Sequence, residues 1–368
     1  MSNFSTLFTK LRDTVHQDED KESSNTSKKR HTEPVVALKN EEKELRISSK
    51  RPREFQEPET QTTKDENDAI ISKSKIRPFI PPKDYKDMSI PLSFLCIGAQ
   101  KAGTTWLHEI LRTHPNICLP RNCKEVHFWD WYRGKGLGWY SRQFIQSSCT
   151  TTRTHDSLHA IFHPATVYGE ITPCYAILPE ATIQEIQYLF PNLKIIFIAR
   201  NLVDRAWSAI LMELRHASRG IQPGEFPSST QTTTPVYNAM EDPTQYKIEY
   251  FMQRLCHSTH TSRSNYSQAL RTWLKYFPSQ QIIILHYSDI SNHPHQFMEQ
   301  VCKHIGIEYI QNKTFQDKDL YRKVNQGTGP TLNYPIPAQV QKQFEEYLQP
   351  YQDDFNLLLR ELHYSWQL

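Results

Sequence analysis

A three-layer α/β fold, with a central parallel sheet covered by helices on both faces, is expected of this 368-residue sequence. Three short apolar runs, Ser93–Ile97, Lys194–Ala199 and Gln281–Leu285, are bounded by turn residues and read as strands buried on both faces. Longer segments of helical period alternate with them, and such alternation builds parallel sheets. Charge sets the boundary of the folded part: 31 of the first 80 residues are charged, against 52 of the remaining 288. Those 80 residues contain no Trp or Tyr and only four Phe, too little apolar surface to offset chain entropy.

The elements follow in chain order. Residues 1–85 read as a disordered, charged tail, and residues 86–368 as one folded domain. Within the tail, Lys28-Lys29-Arg30 and Lys50-Arg51-Pro52-Arg53 are spaced loosely like a nuclear import signal, with a solvated tail as the plainer reading. The stretch Arg77–Pro82 is Pro-rich and reads as the hinge into the domain. The first strand, Ser93–Ile97, runs through a Gly-containing turn into a helix over Thr104–Thr113. Another strand leads into Gly169–Tyr175, and helices are predicted over Leu178–Phe190 and Val203–Arg219. Residues 218–245, rich in Ser, Thr, Gln and Pro, lack a period and read as a surface excursion. Further helices are predicted over Tyr246–His257, Arg263–Phe277, Asp289–Ile305 and Gln339–Leu362.

Composition narrows the function classes. With 43 Lys+Arg against 40 Asp+Glu the net charge is +3, which excludes wholesale coating of a polyanion such as a nucleic acid but leaves room for a local basic pocket. No window approaches the roughly 18–20 apolar residues of a membrane span, and the N-terminus lacks the apolar stretch of a secretory signal. Seven cysteines without framework spacing suit free thiols in a reducing compartment. The expected location is therefore cytoplasmic, with the nucleus as the second reading and the Golgi disfavoured for want of an anchor.

The turn after the first strand carries the chemistry. In Gly98-Ala99-Gln100-Lys101-Ala102-Gly103-Thr104-Thr105-Trp106-Leu107, two glycines permit tight or left-handed backbone and close approach of an anion. Thr104 and Thr105 begin a helix, so hydroxyls and N–H groups both point at a phosphate, and Lys101 adds a cation. The order differs from a nucleoside triphosphate loop, in which Lys follows the second Gly. The strand Lys194–Ala199 is followed by Arg200 instead of a magnesium-holding Asp. This loop resembles the 5′-phosphosulfate loop of sulfotransferases that use 3′-phosphoadenosine 5′-phosphosulfate (PAPS), nearest to the bacterial and heparan-sulfate branches. A P-loop-like fold is implied, with Lys101, Ala102, Gly103, Thr104, Thr105 and Trp106 as donor-binding residues.

The second block, Ile195–Ser208, is a strand, a turn and a helix. An Arg fork and a hydroxyl converging on a phosphate make an anion clamp. The resemblance assigns Arg200 and Ser208 to the 3′-phosphate, with Asp204 and Arg205 holding the turn. Between the two blocks lies Lys124-Glu125-Val126-His127-Phe128-Trp129-Asp130; if it is extended, Glu125 and His127 share one side while Val126 and Phe128 face the core. It resembles the Lys-Glu-x-His-Phe-Phe motif of the heparan and bacterial branches, whose Glu is the catalytic base. Glu125 is thus the expected base, His127 the second candidate, and Lys101 the residue that neutralises the leaving phosphate. In the block Gly169–Tyr175, Ile171 stands where the heparan branch has a Lys, which weakens a glycosaminoglycan reading; Glu170 reads equally as a pocket carboxylate or a satisfied strand end. Arg322, Lys323 and Gly327 sit in a late basic loop that the resemblance, which spans about residues 90–363, assigns to the donor.

The spacing of His114, Cys118, Cys123 and His127 superficially suggests zinc, but the cysteines stand too far apart for a tight knuckle, and no metal is expected. The sum is an enzyme that moves a sulfuryl group from PAPS to a hydroxyl or amine of a small molecule or carbohydrate. A magnesium-dependent kinase or nucleotidase, and a non-catalytic nucleotide-binding scaffold, are the alternatives.

Overall fold

The computed structural model describes residues 81–144, 167–218, 246–309, 315–322 and 334–368, together with Pro243 and Val324. The chain divides into Met1–Phe79 and Ile80–Leu368; residues 1–80 lie outside the described residues, whereas residues 81–85, expected in the tail, are described, and Asp84 is tied to the domain by Arg133. Five parallel strands form one sheet in the order β2-β3-β1-β4-β5: β1 Leu92–Gly98, β2 Ile117–Cys118, β3 Val167–Ile171, β4 Lys194–Ala199 and β5 Ile282–His286. The interior of β4, Ile195 to Ala199, is wholly buried, as a β-branched run between two helical layers requires. Each such large side chain contributes about 1.5–3 kcal/mol when fully buried.

Strand order fixes the site. After β1 the chain moves outward to β2 and returns to β3, then crosses β1 to reach β4 and β5. The turns after β1 and β4 therefore lie side by side at the carboxyl edge of the sheet, where open α/β folds collect ligands. The register shifts between Cys96 and Gly98, and Ala99 N–H donates to Ile198 O at 3.0 Å, which seats the loop on the neighbouring strand. Only glycine fits at 98, since a Cβ would lie 2.8 Å from the Phe197 ring.

The helices that frame the site and cover the sheet are α1 Thr104–Leu111, α2 Leu137–Arg142, α3 Glu180–Leu189, α4 Leu202–Ser218, α5 Ile248–Cys256, α6 Ser258–Ser264, α7 Tyr266–Leu274, α8 Pro294–Ile305 and α9 Ala338–Glu361. Two predicted helices are corrected, and one conditional reading is resolved. The helix predicted over Arg263–Phe277 breaks at Asn265, whose side chain accepts from Gln268 N–H at 3.1 Å and caps α7. The helix predicted over Asp289–Ile305 breaks at His293, and Pro294 opens α8 at a position where a missing N–H costs nothing. The stretch Lys124–Asp130, read above for the case that it is extended, turns at His127 (φ 53°) into a π-helix, Phe128–Tyr132.

Candidate active site

The loop after β1 is shaped to receive an anion. Lys101 (φ 68°) and Gly103 (φ 79°) are left-handed, the first without a glycine's freedom. Arg200 holds it there: its Nη1 donates to Lys101 O at 2.8 Å, and its guanidinium lies 4.6 Å from the Tyr287 ring. With that carbonyl turned inward, the N–H groups of Gln100, Lys101, Gly103, Thr104, Thr105 and Trp106 have no acceptor among the described residues. The expected cradle is altered at one position, because Ala102 N–H is spent inside the loop on Ala99 O at 3.2 Å.

Positive charge crowds the same place. Burial, then the charges of Arg215, Arg200 and Lys124, push the Lys101 ammonium down to about 8. Its Nζ rests 3.8 Å from Met212 Sδ on α4. Unspent amides, an unpartnered buried Arg200 Nε and several cations fit a phosphate-bearing ligand. Ser208 is half-buried on the second turn of α4. Trp106 offers only its amide, since its buried indole donates to Leu320 O at 3.1 Å. Arg322 faces Glu109 at 3.6 Å, and Lys323 and Gly327 lie outside the described residues.

The motif between the blocks is joined to the loop by Lys124, which sequence reasoning passed over. Its Nζ reaches Thr104 Oγ1 at 3.2 Å and Glu125 Oε1 at 2.5 Å. Burial pushes the Glu125 carboxyl up, but the His127 hydrogen bond and the Lys124 charge outweigh it and hold it at about 2. His127 lies between two carboxylates, with Nδ1 2.8 Å from Asp130 Oδ2 and Nε2 3.3 Å from Glu125 Oε2. Burial opposes its charge, yet Asp130 and Glu125 raise it to about 9, so it is an imidazolium at neutral pH. Although the stretch is not extended throughout, Val126 and Phe128 do face the core, and Glu125 and His127 do meet.

Glu170 is explained by its partners. Fully buried, it accepts from Val126 N–H (3.2 Å), Thr172 Oγ1 (2.5 Å), Tyr175 OH (2.8 Å) and Tyr140 OH (2.5 Å), and so fixes the backbone beside Glu125. Burial lifts its carboxyl above the usual range against those four donors. The Tyr175 hydroxyl also accepts from Phe128 and Trp129 N–H, which starts the π-helix.

The zinc-like quartet is not assembled. Cys118 Sγ donates to Phe144 O, and His114 accepts from Asn116 N–H and packs on Phe315. Among the described residues the group within ligand reach is instead His127, Asp130 and Cys174, inside a pocket already rich in cations.

Comparison with known proteins points the same way. Residues 92–328 match the family described as Sulfotransferase domain. The bifunctional heparan sulfate N-deacetylase/N-sulfotransferase 2 of Bos taurus is 28% identical over 229 residues, covering 60% of this chain and 22% of that protein. The membrane-associated sulfotransferase kil1 of Dictyostelium discoideum is 23% identical over 362 residues, covering 81% of this chain and 71% of that protein. A sulfotransferase structure from Alicyclobacillus acidocaldarius superposes with a TM-score of 0.48 at 19% identity, covering 75% of this chain and 98% of that one. This chain thus spans less than a quarter of the bifunctional relative. These relatives overturn the cytoplasmic or nuclear expectation: they are heparan sulfate enzymes and a protein named as membrane-associated, which point away from the cytoplasm. No helix among the described residues is long and apolar enough to cross a membrane.

Proposed function

The chain belongs to the sulfotransferase domain family, and from that premise we propose that its donor is PAPS and that Glu125 is the base acting on the acceptor. The carrying observation is the set of unspent amides at Gln100, Lys101 and Gly103 to Trp106, with several cations gathered around it. When bound, PAPS supplies the sulfuryl group in activated form, as a phosphosulfate.

The chain's own residues divide the work. The amides of Lys101 and Gly103–Thr105 bind the 5′-phosphosulfate, while Arg200 and Ser208 hold the 3′-phosphate. Lys101 neutralises charge gathering on the departing phosphate. Glu125 accepts the proton lost by the acceptor hydroxyl or amine as that atom bonds to sulfur. At its resting value of about 2 it is a weak base. An anion in the cradle competes for the Lys124 ammonium and lifts Glu125 toward a useful range. His127, pinned by Asp130, orients Glu125.

Calorimetry with 3′-phosphoadenosine 5′-phosphate (PAP), adenosine 5′-phosphate and ATP tests the donor. Binding that needs the 3′-phosphate, and loses that preference in Ser208→Ala and Arg200→Lys, supports the reading; a preference for ATP overturns it. Lys101→Ala should lower turnover about a hundredfold, a loss of about 3 kcal/mol in the transition state, while thermal unfolding stays cooperative. An unchanged rate refutes its role.

A further inference from the structure

Half-buried arginines in this domain occur in two environments. Arg133 forks onto Asp84 and Glu185, and Arg254 onto Glu213, all at 2.6 to 3.0 Å. Arg263, on α6, has no carboxylate within ion-pair distance among the described residues. Its Nη1 donates to Thr259 O one turn back at 2.9 Å, and its Nη2 reaches only the weak acceptor Cys174 Sγ at 3.7 Å. Its Nε is buried with no partner. A buried donor left unmade is costly, and more so when charged.

The position of this guanidinium gives its unused donor a purpose. Arg263 lines a narrow cleft with Gln100 of the anion loop, Pro173, Ala176, Ser262 and Tyr266. Its neighbour Cys174 has Sγ within 4.8 Å of ligand atoms of His127 and Asp130. Arg263 therefore stands between the anion loop and the acid–base cluster, on the side where a proton would be removed. Arg205 also lacks a carboxylate, but it is fully buried and donates to Ser264 Oγ at 2.6 Å, out of reach of any ligand.

We propose that Arg263 is an acceptor-recognition residue whose guanidinium takes a carboxylate carried by the acceptor next to the hydroxyl or amine that receives the sulfuryl group. The planar fork suits a carboxylate in two-point contact. A neutral acceptor leaves the buried Nε unpaired, so discrimination comes from the acceptor that fails to bind it. The inference rests on the sulfotransfer reading.

The test uses the full chain saturated with PAP and two matched pairs: 4-hydroxybenzoate against its methyl ester, and a glucuronate-containing oligosaccharide against its methyl ester. PAP binding is measured first. Its absence overturns the donor reading, and this inference with it. Where PAP binds, at least one free acid should bind about tenfold or more tighter than its ester, and the pair that does so identifies a phenolic or a saccharide source. Arg263→Gln should erase that preference with PAP affinity and unfolding temperature unchanged, and Arg263→Lys should restore part of it. Equal binding of acid and ester in both pairs, or a preference that survives Arg263→Gln, overturns the inference alone.

Discussion

His127 keeps its extra proton because carboxylates face it from both ring nitrogens, Asp130 at 2.8 Å and Glu125 at 3.3 Å. Its folded value of about 9 lies above the unfolded value of 6.5. The stability this pairing contributes is complete below pH 6.5 and is lost as pH rises through 9. Other shifted groups oppose it within that window: near pH 6.5 the unfolded chain still binds protons at His108, His114 and His304 that the folded chain has shed, so these three add stability as pH rises there. Lys101, depressed to about 8, gains stability only as pH rises past that point. Cys174, the thiol facing His127, is raised above 9, and His108, His114 and His304 are lowered below 6.5. Thermal unfolding should therefore show the wild type losing stability relative to His127→Gln between pH 6.5 and 8, by up to about 1.4 kcal/mol for each pH unit. A difference between the two proteins that does not change with pH would mean the imidazole is not held between two charged carboxylates.

The strands show how far an element can be read from its residues. β4 is found with its bounds as predicted, because Lys194–Ala199 is a continuous buried run closed by turn residues on both sides. Two-residue β2 leaves no such trace, and β3 contains Gly169, which interrupts any run. The π-helix at Phe128–Tyr132 was hidden because four aromatics and an Asp give no helical period that would set it apart from an extended run. Glu125, Lys101 and Arg200 were legible as motif members, whereas Cys174 comes to His127, and Arg263 to Cys174, only through the turn after β3 and the packing of α6, which spacing does not encode. Tyr287 likewise follows from strand order: β5 ends beside β4, and the ring covers Arg200. Gly169 pairs with Phe94 across β1 and β3, and a Cβ there would lie 2.0 Å from the Phe94 ring. Gly169→Ala should cost at least about 1–3 kcal/mol by overpacking. Because the two residues touch, adding Phe94→Leu should recover part of that loss in chemical denaturation. Independent, additive effects would mean the ring does not lie over this glycine.

Taken as a whole the molecule is nearly neutral, with a net charge of +3, yet its cations converge where β1 and β4 end. Arg215, Arg200 and Lys124 bear on Lys101 there, and burial denies its ammonium solvent. Glu125 answers only part of that charge. The fold thus holds an electrostatic strain that an anion relieves, and relief must return as a change in protonation. Near pH 8 the resting Lys101 carries its proton about half the time. An anion in the cradle raises its value, so PAP binding at that pH should draw up to about half a proton from solution. Glu125, at about 2, is silent, and His127, at about 9, adds only a small further uptake. Calorimetry in buffers of differing ionisation enthalpy reads the uptake directly. The observed heat should change with buffer at pH 8, where the phosphates of PAP are already fully ionised, in the sense of proton uptake. Lys101→Arg should remove most of the dependence at pH 8 while leaving an anion-binding cation in place. A buffer-independent heat at pH 8 would mean that Lys101 does not meet the bound anion and that the charge is relieved elsewhere.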